Sequence, residues 1–167
     1  MKNNSVPPIS LALLKDPFHC LAFGFGTGFA QIAPGTFGTL VGLPLYLAMQ
    51  PLPLLPYCVM TAILFIVGIW ICDRAARELR VHDHPGIVWD EVVGYLVTMT
   101  LSPPEWGWMV LGFILFRIFD IFKPWPIKKI DQRISGGFGI MLDDLIAGGF
   151  ALACMQLLIH VGSMNIF

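Results

Sequence analysis

Residues 54–72 read LLPYCVMTAILFIVGIWIC, an apolar run without a single charged side chain. At about 1.5 Å per residue, a helix of this length reaches across roughly the 30 Å hydrocarbon core of a bilayer. The run therefore predicts a membrane-spanning helix, and the rest of the 167-residue chain agrees with it. Hydrophobic residues make up 56 % of the chain and charged residues 13 %, whereas a soluble domain carries about 25 % charged residues. The polar surface of a water-soluble globule is missing.

Outward from this run, apolar segments between polar breaks predict five spanning helices, at about Phe37–Met49, Leu54–Cys72, Ile87–Leu101, Gly107–Phe122 and Ile140–Gly162. Phe18–Ala33 is also apolar, but Gly24, Gly26 and Gly28, followed by Pro34-Gly35, disfavour a continuous span. It reads as a short or re-entrant element. The expected fold is all-α, a polytopic membrane helix bundle, with residues 1–17 as a cytoplasmic N-terminal tail and 18–167 as a single membrane-embedded domain. Pro7, Pro8, Asp16 and Pro17 interrupt the beginning and argue against a cleaved signal peptide. Cys20, Cys58, Cys72 and Cys154 are scattered and form no C-x-x-C pair, so neither a disulfide framework nor a zinc knuckle is indicated, and buried small hydrophobes are expected.

Net charge is only −1, but its placement is informative. With the N-terminus inside, the cytoplasmic segments hold Lys2, Lys15, Arg74, Arg77, Arg80, Lys123, Lys128, Lys129 and Arg133, while the opposite loops at 50–53 and 102–106 hold no basic residue. Basic loops stay cytoplasmic, so the sequence predicts N-terminus in and C-terminus out. Basic residues that track a membrane surface in this way do not point to nucleic acid. Trp106, Trp108 and Trp125 suit interfacial belts. Asp73 with Arg77, and Arg74 with Glu78, have the i,i+4 spacing of helix-surface ion pairs.

Arg117 and five acids are harder to assign to a surface. Asp90 and Glu91 open the third predicted helix, Arg117 and Asp120 lie near the end of the fourth, and Asp143 and Asp144 open the fifth. All share the cytoplasmic end. A charge within the bilayer costs at least about 2.5–3.5 kcal/mol, so such residues face a bundle interior or a wet cavity. Arg117 and Asp120, at i,i+3 spacing, also fit a self-neutralising pair. Two carboxylates about 4 Å apart repel by roughly 4 kcal/mol at an effective dielectric of 20. A divalent cation reverses that sign, and hard oxygen ligands completed by water and phosphate suit Mg²⁺. The competing reading is that one acid of each adjacent pair faces water.

Two glycine-rich stretches precede helices on this side: Gly24-Phe25-Gly26-Thr27-Gly28 with Pro34-Gly35-Thr36-Phe37-Gly38-Thr39, and Gly136-Gly137-Phe138-Gly139. Helix N-termini offer unpaired N–H groups and a positive dipole end to an anion, with Thr36 or Thr39 as a cap. Gly24/Gly28 and Gly38/Gly42 equally fit the G-x-x-x-G spacing of helix packing. Both readings stand. His82 and His84 either serve a metal or a proton, or simply cap their loop, and Asp83 is an acid/base candidate by position. Lys123, before Pro124-Trp125-Pro126, sits where a helix must stop and meets either phosphate or headgroups.

Taken in order, Gly24-Phe25-Gly26-Thr27-Gly28, Pro34-Gly35-Thr36-Phe37-Gly38, His82-Asp83-His84-Pro85-Gly86-Ile87-Val88-Trp89-Asp90-Glu91, Phe116-Arg117-Ile118-Phe119-Asp120 with Lys123-Pro124-Trp125-Pro126, and Gly139-Ile140-Met141-Leu142-Asp143-Asp144 resemble the bacterial phosphatidylglycerophosphatase A family. The resemblance runs from about Phe18 to Gly149. It implies Mg²⁺-dependent removal of the terminal phosphate of phosphatidylglycerophosphate, a phospholipid partner, and the cytoplasmic face of the bacterial inner membrane. Other phosphatase machinery is absent from the sequence: no Cys is followed six residues later by Arg, and neither D-x-D-x-[TV] nor S-G-H occurs.

Under this reading Asp90, Glu91, Asp143 and Asp144 are expected to hold Mg²⁺. Gly35, Thr36, Arg117 and Lys123 receive phosphate, and Asp120 or Asp83 orients the attacking water. A CDP-alcohol phosphotransferase would spread its acids along D-G-x-x-A-R-type repeats, which this chain lacks. A divalent-cation carrier would place its site near the midplane, often between internal repeats.

Overall fold

The computed structural model describes residues 10–81, 83–131 and 133–164, and among these every regular element is a helix. A 3-10 turn, Leu11–Lys15, leads into α1 (Pro17–Ala22) and a second 3-10 segment, Gly24–Phe29. There follow α2 (Pro34–Met49), α3 (Leu54–Leu79), α4 (Trp89–Thr98), α5 (Trp106–Phe122), α6 (Ile127–Asp131) and α7 (Gly137–Met164). The apolar N-terminal stretch is thus a short helix and a turn, because Gly24, Phe25 and Gly26 all take positive φ and break it.

α3 and α7 are long and apolar enough to cross a membrane. Their outer faces carry large exposed apolar side chains, among them Leu55, Ile63, Ile66 and Val67 on α3 and Leu157, Leu158 and Val161 on α7. An apolar outside around a polar inside is the arrangement that lipid solvent requires. Cys58 lies exposed on the same α3 face, whereas Cys72 is buried as expected.

α4 departs from the expected Ile87–Leu101 span. It has 10 residues, about 15 Å at 1.5 Å each, half the hydrocarbon core. It is a buried central helix, packed most heavily on α7 and α2 and also on α3 and α5. A helix that ends inside a bundle leaves carbonyls without partners. Here its neighbours supply the donors: Tyr57 Oη donates to Leu96 O at 2.6 Å, Gln156 Nε2 to Thr100 O at 2.9 Å, and Tyr46 Oη to Ser102 O at 3.3 Å.

Glycines set how closely α4 is approached. A Cβ at Gly148 of α7 would fall 2.5 Å from Gly94 O, and one at Gly94 would fall 3.0 Å from Asp144 O. On the other side Gly38 and Gly42 of α2 press on Val88 and Tyr95. Small residues let helix backbones touch, so the start of α4 is gripped between α2 and α7.

α1 is tied to the end of α3 by charge. Asp16 caps α1 by accepting from Phe18 N at 2.9 Å and pairs with Arg74 at 2.6 Å, while His19 lies 3.0 Å from Glu78. Arg74 also lies over Phe18, 4.9 Å from the ring centroid. Asp73 meets Arg77 at 2.8 Å as its spacing predicts, but Arg74 turns to Asp16 and Glu78 to His19. The folded N-terminal segment offers these two partners nearer than they are to each other.

Candidate active site

Each acid reaches the site through a helix start. Val88 N–H donates to Ala22 O at 2.9 Å, which fixes the chain where α4 begins, and Asp90 and Glu91 follow in its first turn. Asp144 stands one turn before Gly148 on α7, so the Gly94/Gly148 contact carries it onto the same spot. One carboxylate oxygen each from Asp90, Glu91 and Asp144 lies within 4.8 Å of the others. Asp90 Oδ1, Glu91 Oε2 and Asp144 Oδ2 are buried and have no hydrogen-bond partner among the described residues.

Cations come from α5. Arg117 pairs with Asp120 one turn on and lies 3.6 Å from Glu91 Oε1. Lys123 caps α5 in a left-handed conformation at φ 41°, and its Nζ lies 2.5 Å from Asp143 Oδ2. Gly35, in the first turn of α2, leaves the room that Glu91 Oε1 and Arg117 Nη1 occupy.

These groups line one cavity of about 230 Å³, walled by Ala33, Pro34 and Gly35 on one side and Arg117 and Ile121 on the other. Asp83, Asp90, Glu91, Asp120, Asp143 and Asp144 face it together with only two cations, Arg117 and Lys123. Six carboxyl groups against two cations favour binding of a further cation, and the three oxygens of Asp90, Glu91 and Asp144 form the densest acidic point.

Ten positions were singled out for the site, and nine meet at this cavity. Asp143 lines it but points its carboxylate at Lys123, while the cluster of three close oxygens is Asp90, Glu91 and Asp144. Thr36 stands beside the lining without joining it, and its N–H donates to Ala33 O at 2.9 Å. Thr39 does not cap α2, since its hydroxyl donates to Gly35 O at 2.8 Å. His84 is buried and accepts from Gly86 N–H at 3.0 Å, which is a loop-capping role; His82 lies outside the described residues.

Among the described glycines, Gly28 packs on the backbone of Gly86 in the loop before α4, Gly137 packs on α3, and only Gly35 opens on the cavity. Ile121 was not anticipated as lining; its place four residues after Arg117 on α5 was the available signal.

The chain matches the family model described as Phosphatidylglycerophosphatase A over residues 20–159. The chain belongs to the phosphatidylglycerophosphatase A family. Two relatives bear that name: one from Escherichia coli (strain K12), 40 % identical over 148 residues that make up 88 % of this chain and 86 % of the relative, and one from Haemophilus influenzae, 40 % identical over 153 residues, 90 % and 92 %. A relative from Bacteroides thetaiotaomicron, provisionally named a phosphatidylinositol-3-phosphatase, is 38 % identical over 138 residues, 77 % of this chain and 84 % of its own. No solved structure matches the chain significantly. The phosphatidylglycerophosphatase A match contains every residue lining the charged cavity.

Proposed function

We propose that this protein is an Mg²⁺-dependent lipid phosphatase that hydrolyses phosphatidylglycerophosphate to phosphatidylglycerol and inorganic phosphate. The observation that carries the reading is the Asp90/Glu91/Asp144 oxygen cluster beside Arg117 in a cavity of a membrane protein. Names of the relatives supply the substrate.

Asp90, Glu91 and Asp144 each keep one buried carboxylate oxygen without a hydrogen-bond partner among the described residues, and the three groups fit a hard divalent cation. Asp90, Glu91 and Asp144 would hold it, with Asp143 close by. When bound, Mg²⁺ supplies positive charge that offsets these acids and the phosphoryl oxygens. Arg117, steadied by Asp120, presents its guanidinium to the phosphate from the opposite wall. Lys123 adds a second cation, its ammonium held beside Asp143. Gly35, the member of the expected Gly35–Thr36 pair that lines the cavity, lets the phosphate approach the start of α2 closely. Asp120, inside the cavity, and Asp83, at its exposed rim, are the carboxylates placed to orient water and take its proton.

In this reading residues 18–167 form one membrane-embedded domain. α2, α3, α5 and α7 lie across the bilayer, α4 is the short fifth element enclosed by them, and the site faces the cytoplasm of a bacterium. Support for the orientation comes from the one-sided placement of Lys and Arg. The reading is tested by inorganic phosphate release from phosphatidylglycerophosphate, with phosphatidylinositol 3-phosphate and a CDP-lipid acceptor pair as comparisons. Selective release from the first supports it. Alcohol transfer from the CDP-lipid, or cation uptake into proteoliposomes without release, would overturn it.

A further inference from the structure

The charged cavity has an apolar neighbour between the same helices. That charged cavity is lined by the start of α4, the start of α2 and the end of α5, with Asp143 and Asp144 of α7 and the loop before α4 completing it. A second hollow of about 130 Å³ lies between the same three helices, lined by Leu40 and Leu43 of α2, Tyr95 of α4, and Phe113, Val110 and Trp106 among others of α5. Ile121, Arg117, Phe113, Val110 and Trp106 follow one another at spacings of three and four, one stripe along α5. Glu91 and Tyr95 are likewise one turn apart on α4. α2 and α5 both pack on α4 yet scarcely touch each other, which leaves a cleft between them. Leu40, Val110 and Trp106 at its lips are exposed.

A polar pocket with an apolar hollow one helical turn further along the same helices, its lips exposed, matches a molecule with a phosphate head and a hydrocarbon tail. On the reading of the site given above, we infer that one acyl chain of the lipid substrate lies in the α2–α5 cleft. The phosphoester end sits at Arg117 and Glu91, and the chain passes Phe113 and Tyr95 toward Trp106. A larger apolar hollow of about 390 Å³, between α2, α3 and α4 around Leu45, Leu64 and Trp89, is not part of this path. The seam where Gly38 and Gly42 press on Val88 and Tyr95 separates it from the charged cavity. Leu40, Leu43, Val110 and Phe113 are thereby assigned as determinants of acyl-chain recognition.

The experiment fills the cleft and reads kinetics and labelling. Val110→Trp and Leu40→Trp are each expected to raise KM for long-chain phosphatidylglycerophosphate about 10-fold, the loss of roughly two buried methylenes, and to leave kcat and short-chain turnover unchanged. Ile63→Trp, on the lipid-facing side of α3, is the control and leaves both unchanged. In parallel, a phosphatidylglycerophosphate with a diazirine on one acyl chain is expected to label the 106–113 segment in wild type and Ile63→Trp but not in Val110→Trp. Unchanged KM in both cleft variants, or equal loss for long and short chains, would overturn the assignment. Turnover without labelling of 106–113 would also overturn it. Labelling without any turnover would instead leave the cleft standing and remove the proposed reaction.

Discussion

The place a side chain would take at Gly35 is held by the carboxylate of Glu91, with Arg117 Nη1 3.0 Å from the same point. A glycine at the start of α2 thus sets where a site acid on α4 lies. Gly35→Ala meets only side-chain ends, those of Glu91 and Arg117, so the fold survives while the carboxylate shifts. The expected result is a kcat lower by about 10²-fold, the scale of a displacement near 1 Å, with the melting temperature in detergent within a few degrees of wild type. Unchanged turnover would separate the position of Glu91 from the chemistry.

Asp144→Asn keeps shape and removes charge from the cluster it shares with Asp90 and Glu91. Phosphate release should fall by at least about 10²-fold, the scale for losing one electrostatic group at an active site, and Mg²⁺ binding followed by calorimetry should weaken in step. Near-normal release would remove Asp144 from the ligand set.

Lys123 and Asp143 make a second, separable prediction. Asp143 is 4 % exposed, so Lys123→Met strands a buried carboxylate, which destabilises more than removal of both partners. The double variant Lys123→Met/Asp143→Asn should regain part of the lost thermal stability, with a coupling of about 1–3 kcal/mol, yet remain slow. Additive losses in unfolding midpoints would show that the two groups act independently.

Much of the helical framework was legible because lipid leaves a one-dimensional mark: the charge-free run at 54–72 extends structurally to Leu79, and the breaks at Pro51–Pro53 and Pro124 end helices where their chemistry requires. α4 was not legible as a short helix. Its residues are as apolar as those of a span, and hydropathy cannot tell burial against protein from burial in lipid. The close approach of Asp90, Glu91 and Asp144 was foreshadowed by their shared depth, but the Lys123–Asp143 contact joins positions 20 residues apart and follows from the turn after α5. His19 carried no sequence signal. Asp16 lies three residues before it at the cap of α1, but Glu78 comes from the end of α3, and only the fold brings that acid to it.

The attachment of α1 to α3 has a pH signature. Burial pulls the Asp16 carboxyl up, but the Phe18 N–H, Arg74 and His19 together more than reverse this and hold it below the usual carboxylate range. A group with a lowered folded-state pKa stabilises above its unfolded pKa and loses that contribution as pH falls through the folded value. Asp16→Asn should therefore lower the melting temperature at neutral pH, and the gap to wild type should close below about pH 4. A gap independent of pH would mean that Asp16 acts by shape alone.

Phosphate release from phosphatidylglycerophosphate by the purified protein, measured with Mg²⁺, then with excess chelator, then with Mg²⁺ restored, tests the central claim most directly. Release that stops with the chelator and returns with the metal is the outcome predicted from the Asp90/Glu91/Asp144 cluster. Release that proceeds equally in chelator would contradict it.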